Sequence, residues 1–418
     1  MHTGPTAGDR TGCDPVAERL LRGTVVTDGR TLPDTVVEIV GDRIVAVVPA
    51  ASWDGSPGRL PPPSDRLLLP GLVDVHCHGA AGHGFPDASA EGASAAARHH
   101  RRHGTTTMLA SLVSAPAETL VERLALLGPL VGAGELAGIH LEGPFLAVAR
   151  CGAHDPAAIV PGDPALLEKL LTAAEGTVVS LTLAPETPRY PQLLAVLAEY
   201  GVLPSIGHTD ADARTTTAAV RRAGGAPMSA THLFNAMPAV HHRAPGPVTA
   251  CLAAAARGEL VVELVADGVH LSPDTVSAVF DLVGPDRIAL VTDAMAAAGM
   301  PDGRYRLGTM EVQVTDRVAR LAAPGPTGRR PIAGGTARMI DVLHSTVTRS
   351  GVPLATAVTA ATRTPARLLG LGHEIGSLAA GHRADVLVTD PRLRPLEVLW
   401  RGATVTGGSD PGRAGTLS

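Results

Sequence analysis

Aromatic residues make up only 2% of this 418-residue chain, so its core has to be assembled from Ala, Val and Leu. Lysine is almost missing. The sole copy, Lys169, lies in a helical stretch, so no strand end offers a lysine that could be carboxylated to bridge metal ions. Cysteine is scarce and scattered at Cys13, Cys77, Cys151 and Cys251. Without a Cys-x-x-Cys pair, neither a zinc ribbon nor a disulfide framework is indicated, and reduced thiols are expected. No apolar run is long enough to span a bilayer. The polar, Gly-rich start lacks the apolar centre of a signal peptide. The net charge is −5 with no basic block and no acidic tail, which argues against a nucleic-acid partner. The expectation is a cytoplasmic protein that engages neither membrane nor nucleic acid.

What is present is an apolar fraction of 45% and 17 histidines. The length exceeds one ordinary domain and suits a large barrel with a smaller companion. Residues 1–15 read as a disordered N-terminus. Alternating runs over 16–65, such as Asp34–Val40 and Arg43–Val48 around Gly41-Asp42, predict a β-hairpin. From 66 to 372, short apolar strands alternate with Ala- and Leu-rich helical segments. Eight strands are expected at Leu67–His76, Thr105–Leu112, Ala137–Leu141, Thr177–Leu183, Leu203–Ile206, Met228–His232, Leu260–Val265 and Arg287–Val291. Eight strand–helix units predict a (β/α)8 TIM barrel. Residues 302–335 depart from this rhythm, with a hairpin near Tyr305–Leu307 and Met310–Val314 followed by a Gly/Pro/Arg loop. The tail, 373–418, alternates again. Together with 16–65 it predicts a small β-sandwich domain built from both chain ends, in an α/β protein.

In such a barrel, chemistry sits at the C-terminal ends of the strands. The first strand ends in His76-Cys77-His78, whose imidazoles share a side because side chains two apart on a strand do. Alone, that pattern does not decide between a metal site and ordinary polar residues. Later strand ends bring His140-Leu141-Glu142, Gly207-His208, Thr231-His232, Asp267-Gly268-Val269-His270 and Thr292-Asp293. Ionisable groups at six strand ends predict metal-assisted hydrolysis. Imidazole with carboxylate favours Zn, Fe, Mn or Co over Mg or Ca. Glu142 serves one ion or bridges two, with His76 and His78 toward one and His208 and His232 toward the other. Asp293 is placed to take a proton from water and pass it to a leaving amine.

The segments HLEGP, GHTDA, THLFNAM, HHRAPG, DGVH and VTDAM, in that order, resemble the N-acetylglucosamine-6-phosphate deacetylases of the amidohydrolase superfamily. The resemblance extends to GSLAAGHRADVLVTD near the end of the chain. It implies removal of acetate from an amino-sugar phosphate, N-acetyl-D-glucosamine 6-phosphate, to give D-glucosamine 6-phosphate. It implies Glu142, His208 and His232 as shared metal ligands, and Asp293 as acid and base. His76 and His78 admit a second divalent ion. The resemblance further implies Asn235 and Ala236 at the substrate phosphate, His270 near the substrate carbonyl, and Ala153 at the sugar. Ile332, Ala333 and Gly334 match a loop over the ligand. Arg243 matches a phosphate-binding arginine, often delivered from the neighbouring subunit of a homodimer. One departure is Gly335, where the family more often has Ser.

Other histidines, His83, His99, His100, His103 and His241, are expected at the surface, and Cys77 is expected to face packing. Two rival functions remain from sequence. One is a related amidohydrolase acting on N-acetylgalactosamine 6-phosphate or another amide. The other is a non-catalytic structural relative, which predicts eroded ligands, whereas Glu142, His208, His232 and Asp293 are all present.

Overall fold

A computed structural model describes residues 18–324, 328 and 330–405. The segment 1–15 and the last part of 373–418 lie outside the described residues. Eight parallel strands form the central sheet. They are β1 (Leu72–Asp74), β2 (Thr105–Val113), β3 (Gly138–Glu142), β4 (Val178–Leu183), β5 (Leu203–Ile206), β6 (Ser229–Ala230), β7 (Val261–Leu264) and β8 (Ile288–Leu290). Neighbours in sequence are neighbours in the sheet throughout. β2 is buried along its whole length, as strands covered on both faces are.

The first and last strands close the barrel through the residues just beyond them. Asp293 donates its N–H to the His76 carbonyl at 2.9 Å, and His78 donates to the Ala294 carbonyl at 2.6 Å. Beneath this seam, the fully buried Asp74 carboxylate accepts from the Thr292 hydroxyl at 2.6 Å. Burial pushes the Asp74 carboxyl up to about 6, against the pull of its Thr292 and His76 hydrogen bonds.

The run expected as one strand, Leu67–His76, is two. Leu67–Pro70 belongs to a seven-stranded sheet, between Glu18–Thr27 and Val386–Thr389. This sheet is the small β domain, and both chain ends supply its strands. The hand-over falls at Pro70-Gly71. Proline has no N–H to continue a ladder, and a Cβ at Gly71 would lie 2.0 Å from Thr106 Oγ1. The stretch after the last barrel strand closes with two short helices, Leu354–Ala361 and Arg363–Leu368, separated at Thr362.

Helices follow the strands, and several of them start on side-chain caps. Ser89 accepts from Gly92 N–H, Asp163 from Ala165, Asp212 from Thr215 and Ser272 from Thr275. These caps terminate the loops that carry the strand-end residues. The expected hairpin after β8 has a third strand, Val318–Leu321, which sequence reading left in a loop. Ala319 and Leu321 turn inward while Arg320 faces out, and they pack with Val312, Val314 and Met295 over the barrel mouth. His99 and His100 are buried rather than at the surface. Their helix, Ala90–Arg102, lies against the barrel, and His100 Nε2 reaches the Gly79 carbonyl at 3.1 Å.

The barrel interior carries an unusual polar layer where branched apolar residues are the norm. Ser111 Oγ pairs with His140 Nδ1 at 2.9 Å, and His140 Nε2 with Thr182 Oγ1 at 2.8 Å. Thr182 pairs with Thr231 at 2.7 Å and Thr231 with Ser205 at 2.6 Å. Ser229 pairs with Ser205 at 2.7 Å and with Glu263 Oε1 at 3.2 Å. The chain of hydrogen bonds crosses β2 to β7 and ends on a carboxylate.

Candidate active site

Above that layer, the strand ends bring Glu142, His76, His78, His208, His232 and Asp293 together, all buried. Glu142 stands at the centre. Its Oε1 lies 2.9 Å from both His208 Nε2 and His232 Nε2. Its Oε2 lies 3.2 Å from His78 Nε2 and 3.7 Å from His76 Nε2. Asp293 Oδ1 is 3.3 Å from His78 Nε2 and 3.5 Å from His76 Nε2. Three of these residues sit in the left-handed backbone region: His208 at φ +48°, His232 at +28° and Asp293 at +48°. Such a conformation costs of order 1–3 kcal/mol for a non-glycine residue and is held where surrounding structure demands it, often at functional sites.

In three of the four rings the outer nitrogen fixes what the inner one offers, while Nδ1 of His232 has no hydrogen-bond partner among the described residues. His78 Nδ1 donates to the Ser111 carbonyl at 3.1 Å and His208 Nδ1 to the Arg150 carbonyl at 2.8 Å. His76 Nδ1 donates to Glu263 Oε2 at 3.2 Å. As neutral rings all three therefore turn an unprotonated Nε2 inward. His76 Nε2 and His78 Nε2 lie 3.1 Å apart, as do His208 Nε2 and His232 Nε2. The His76–His78 lone pairs, and the His208 lone pair against Glu142 Oε1, repel unless a cation lies among them. The donor set thus fits a divalent metal, with Glu142 able to serve both clusters.

His154 is also buried here, 3.3 Å from Glu142 Oε2. Its Nδ1 accepts from the Ser114 N–H at 3.1 Å, so its proton sits on Nε2 and is donated to Glu142. In that tautomer His154 orients the carboxylate and is no ligand, although it stands within ligand distance of Glu142 and His208.

Charge follows the same pattern. Burial alone would push the Glu142 carboxyl up, but His76, His154 and His208 outweigh it and hold it well below the usual range. Asp293 is likewise held low, by His78 and His76 against burial. Burial would depress His76, but Glu142, Glu263 and Asp293 outweigh it and hold the ring well above its ordinary value. The surplus negative field that attracts a proton also attracts a metal ion. His140 is pushed well below its ordinary value by burial and by His76, which keeps it neutral.

Across the site, His270 Nδ1 pairs with Asp267 Oδ2 at 2.9 Å, and His270 Nε2 lies 3.7 Å from Asp293 Oδ2. Burial opposes charge on His270, yet Asp267 raises its pKa. Asp267 Oδ1 also accepts the N–H groups of Val269 and His270, each at 2.8 Å. That turn needs Gly268, at φ +79°.

A cavity of about 430 Å³ opens onto these groups. Of the expected substrate residues, Ala153, Asn235, Ala236, His270, Ile332 and Gly334 line it. Ala333 is fully buried, its N–H bonded to the Ala319 carbonyl. Arg243 lies on an exposed loop outside the lining, its guanidinium donating to Nε2 of its own neighbour His242 at 2.8 Å. Arg320 and Arg330, which sequence reading passed over, stand at the rim. Gly335 is explained by proximity: a Cβ there would fall 2.5 Å from the Thr292 carbonyl oxygen. Cys77 faces away from the cluster, with Sγ 3.3 Å from His100 Nε2, and burial pushes its thiol well up.

Sequence reading also missed Glu263, Asp74 and Ser111. The signal for the first two was a lone carboxylate inside an apolar strand, in Val261-Val262-Glu263-Leu264 and Leu72-Val73-Asp74-Val75. Ser111 carried no signal.

Comparison with known proteins agrees with this geometry. The chain is 31% identical over 390 residues to the N-acetylglucosamine-6-phosphate deacetylase of Bacillus subtilis, covering 90% of this chain and 94% of that one. It is 34% identical over 341 residues to the N-acetylgalactosamine-6-phosphate deacetylase of Escherichia coli O157:H7, covering 81% and 87%. The structure of a mutant N-acetyl-D-glucosamine-6-phosphate deacetylase from Mycobacterium smegmatis, in complex with N-acetyl-D-glucosamine 6-phosphate, superposes with a TM-score of 0.86. That match has 39% identity and covers 94% of this chain and 100% of that one. The model of the amidohydrolase family matches residues 67–411, so the chain belongs to that metal-dependent family of hydrolases.

Proposed function

We propose that this protein hydrolyses N-acetyl-D-glucosamine 6-phosphate to D-glucosamine 6-phosphate and acetate, as a step of amino-sugar catabolism in the cytoplasm. The observation that carries the reading is the juxtaposition of Asp293 with two imidazole–carboxylate clusters that meet at Glu142, at the base of one cavity. Free, buried Cys77, Cys151 and Cys251 suit a reducing compartment, and among the described residues no helix is long and apolar enough to cross a membrane.

Glu142, His208 and His232 would hold one divalent ion, of Zn, Fe, Mn or Co type, and His76 and His78 with Glu142 a second. Such ions lower the pKa of water and polarise a carbonyl. Asp293 is ionised in the resting site and can accept the proton of the attacking water. As the C–N bond breaks it returns that proton to the amine, which leaves as a neutral group. His270 contributes at the carbonyl. Its Nδ1–H is committed to Asp267, so Nε2 carries a proton only when the ring is cationic. Asp267 favours that form.

The phosphate end is read by Asn235 and the backbone of Ala236. Both residues line the cavity, and the donors they offer a phosphate are the Asn235 amide N–H, which in the free site donates to the His232 carbonyl at 3.1 Å, and the backbone N–H of Ala236. Arg243 does not reach the site of its own chain. Its exposed position supports a homodimer in which it completes the neighbouring site. Acetate release from N-acetyl-D-glucosamine 6-phosphate, against N-acetyl-D-galactosamine 6-phosphate, tests the assignment. The second sugar stays in contention because the two relatives above are matched at comparable identity.

A further inference from the structure

Glu263 does not line the cavity, yet it is bonded to one histidine of each ligand pair. It is 3% exposed, inside β7. Oε2 takes the Nδ1–H of His76 at 3.2 Å and lies 3.3 Å from the backbone N–H of His232. Oε1 is held by Ser229 at 3.2 Å, the last member of the polar layer beneath the site. Ser229 Oγ is the donor toward both Glu263 Oε1 and Ser205 Oγ, so it ties the carboxylate to the hydroxyls that run back through Thr231 and Thr182 to His140 and Ser111. The carboxylate is therefore aimed by a continuous network.

His76 depends on that aim more than the other rings do. His78 and His208 have backbone carbonyls at Nδ1, which no side-chain change removes. His76 has only a side chain, and 3.1 Å from its Nε2 stands the lone pair of His78. If the proton of His76 moved from Nδ1 to Nε2, the ring could donate to His78 and would cease to be a ligand. A carboxylate at Nδ1 prevents this and makes the inner nitrogen more basic.

We propose that Glu263 is a positioning residue that fixes His76 as a metal ligand, and so determines whether the site takes a second ion. The inference rests on the two-ion reading above but not on the substrate. The apoprotein is titrated with Zn²⁺ by calorimetry, and bound zinc is counted by elemental analysis after gel filtration. Wild type is expected to bind two ions, and His76→Gln one. Glu263→Gln should weaken one ion by ~10–100-fold, the range for lost outer-sphere partners of ligands, and leave the other unchanged. The double variant should bind no worse than His76→Gln alone. Ser229→Ala, which keeps the carboxylate and removes only its Oε1 partner, should weaken the same ion by less, and serves if Glu263→Gln does not fold. Two ions held at full strength by both Glu263→Gln and Ser229→Ala would overturn the proposal. So would equal weakening of both ions, additive losses in the double variant, or a single ion in wild type. Two ions in wild type without acetate release would count against the substrate assignment and leave this proposal standing.

Discussion

Asn in place of Asp293 keeps the shape of the side chain and removes its ability to accept a proton. The two carboxylate oxygens face different partners. Oδ1 lies 3.3 and 3.5 Å from the inner nitrogens of His78 and His76, and Oδ2 lies 3.7 Å from His270. An amide can keep its oxygen on the first side, and its NH2 then meets His270 Nε2 as an acceptor only when that ring is neutral. Glu142, His76, His78, His208 and His232 are all retained, so metal content should not change. What is lost is proton transfer in both halves of the reaction. General acid–base catalysis is worth ~10²–10⁴-fold, so kcat should fall by ~10³-fold, about 4 kcal/mol of barrier. KM should change little, because the substrate contacts remain. Steady-state kinetics with metal analysis on the same sample checks this. A kcat within tenfold of wild type would remove Asp293 from proton transfer. A loss of metal that accounts for the loss of activity would make it a ligand instead.

The Asp267–His270 pair predicts a pH effect. The pKa of His270 is raised by Asp267, so the cationic donor persists below that raised value and is lost as pH rises through it. Asp267→Asn should move the alkaline limb of the kcat profile to lower pH, and an unmoved limb would refute the role given to His270. Gly334 has φ +77°, and a Cβ there would lie 2.9 Å from the Asp293 carbonyl oxygen. Gly334→Ala should therefore strain the covering loop by ~1–3 kcal/mol, lowering kcat/KM and the melting temperature; unchanged values would contradict the close approach. Arg243→Ala should raise KM for the phosphorylated sugar by ~10–100-fold, the worth of a charge-assisted hydrogen bond. Mixing it with Asp293→Asn subunits should restore activity if Arg243 acts across a dimer, and no recovery would refute that arrangement.

The barrel and its ligands were legible because each strand ends where an apolar run meets an ionisable residue, as in Ile139-His140-Leu141-Glu142 and Ile206-Gly207-His208. Period and chemistry changed at the same residue. Less legible was anything that depends on contact between distant strands. The polar layer from Ser111 to Glu263 draws single hydroxyls from several strands, and a Ser or Thr in a strand is unremarkable until its neighbours are known. The break at Pro70-Gly71 lay inside one apolar run, whose two halves enter different sheets. His100 was misplaced at the surface because it lies in an Ala-rich helix whose buried face has no bulky apolar residue to mark it. Val318–Leu321 was too short a strand to stand out beside Gly, Pro and Arg. His154 required its Ser114 partner before its role could be separated from that of a ligand.

The central claim is that one metal-dependent cluster removes acetate from an amino-sugar phosphate. The most direct test is acetate release from N-acetyl-D-glucosamine 6-phosphate by the purified, metal-replete protein, measured before chelation, after chelation, and after divalent metal is restored. Turnover that vanishes with the chelator and returns with the metal is the predicted result. No acetate from the metal-replete protein, or turnover indifferent to metal removal, would contradict the account.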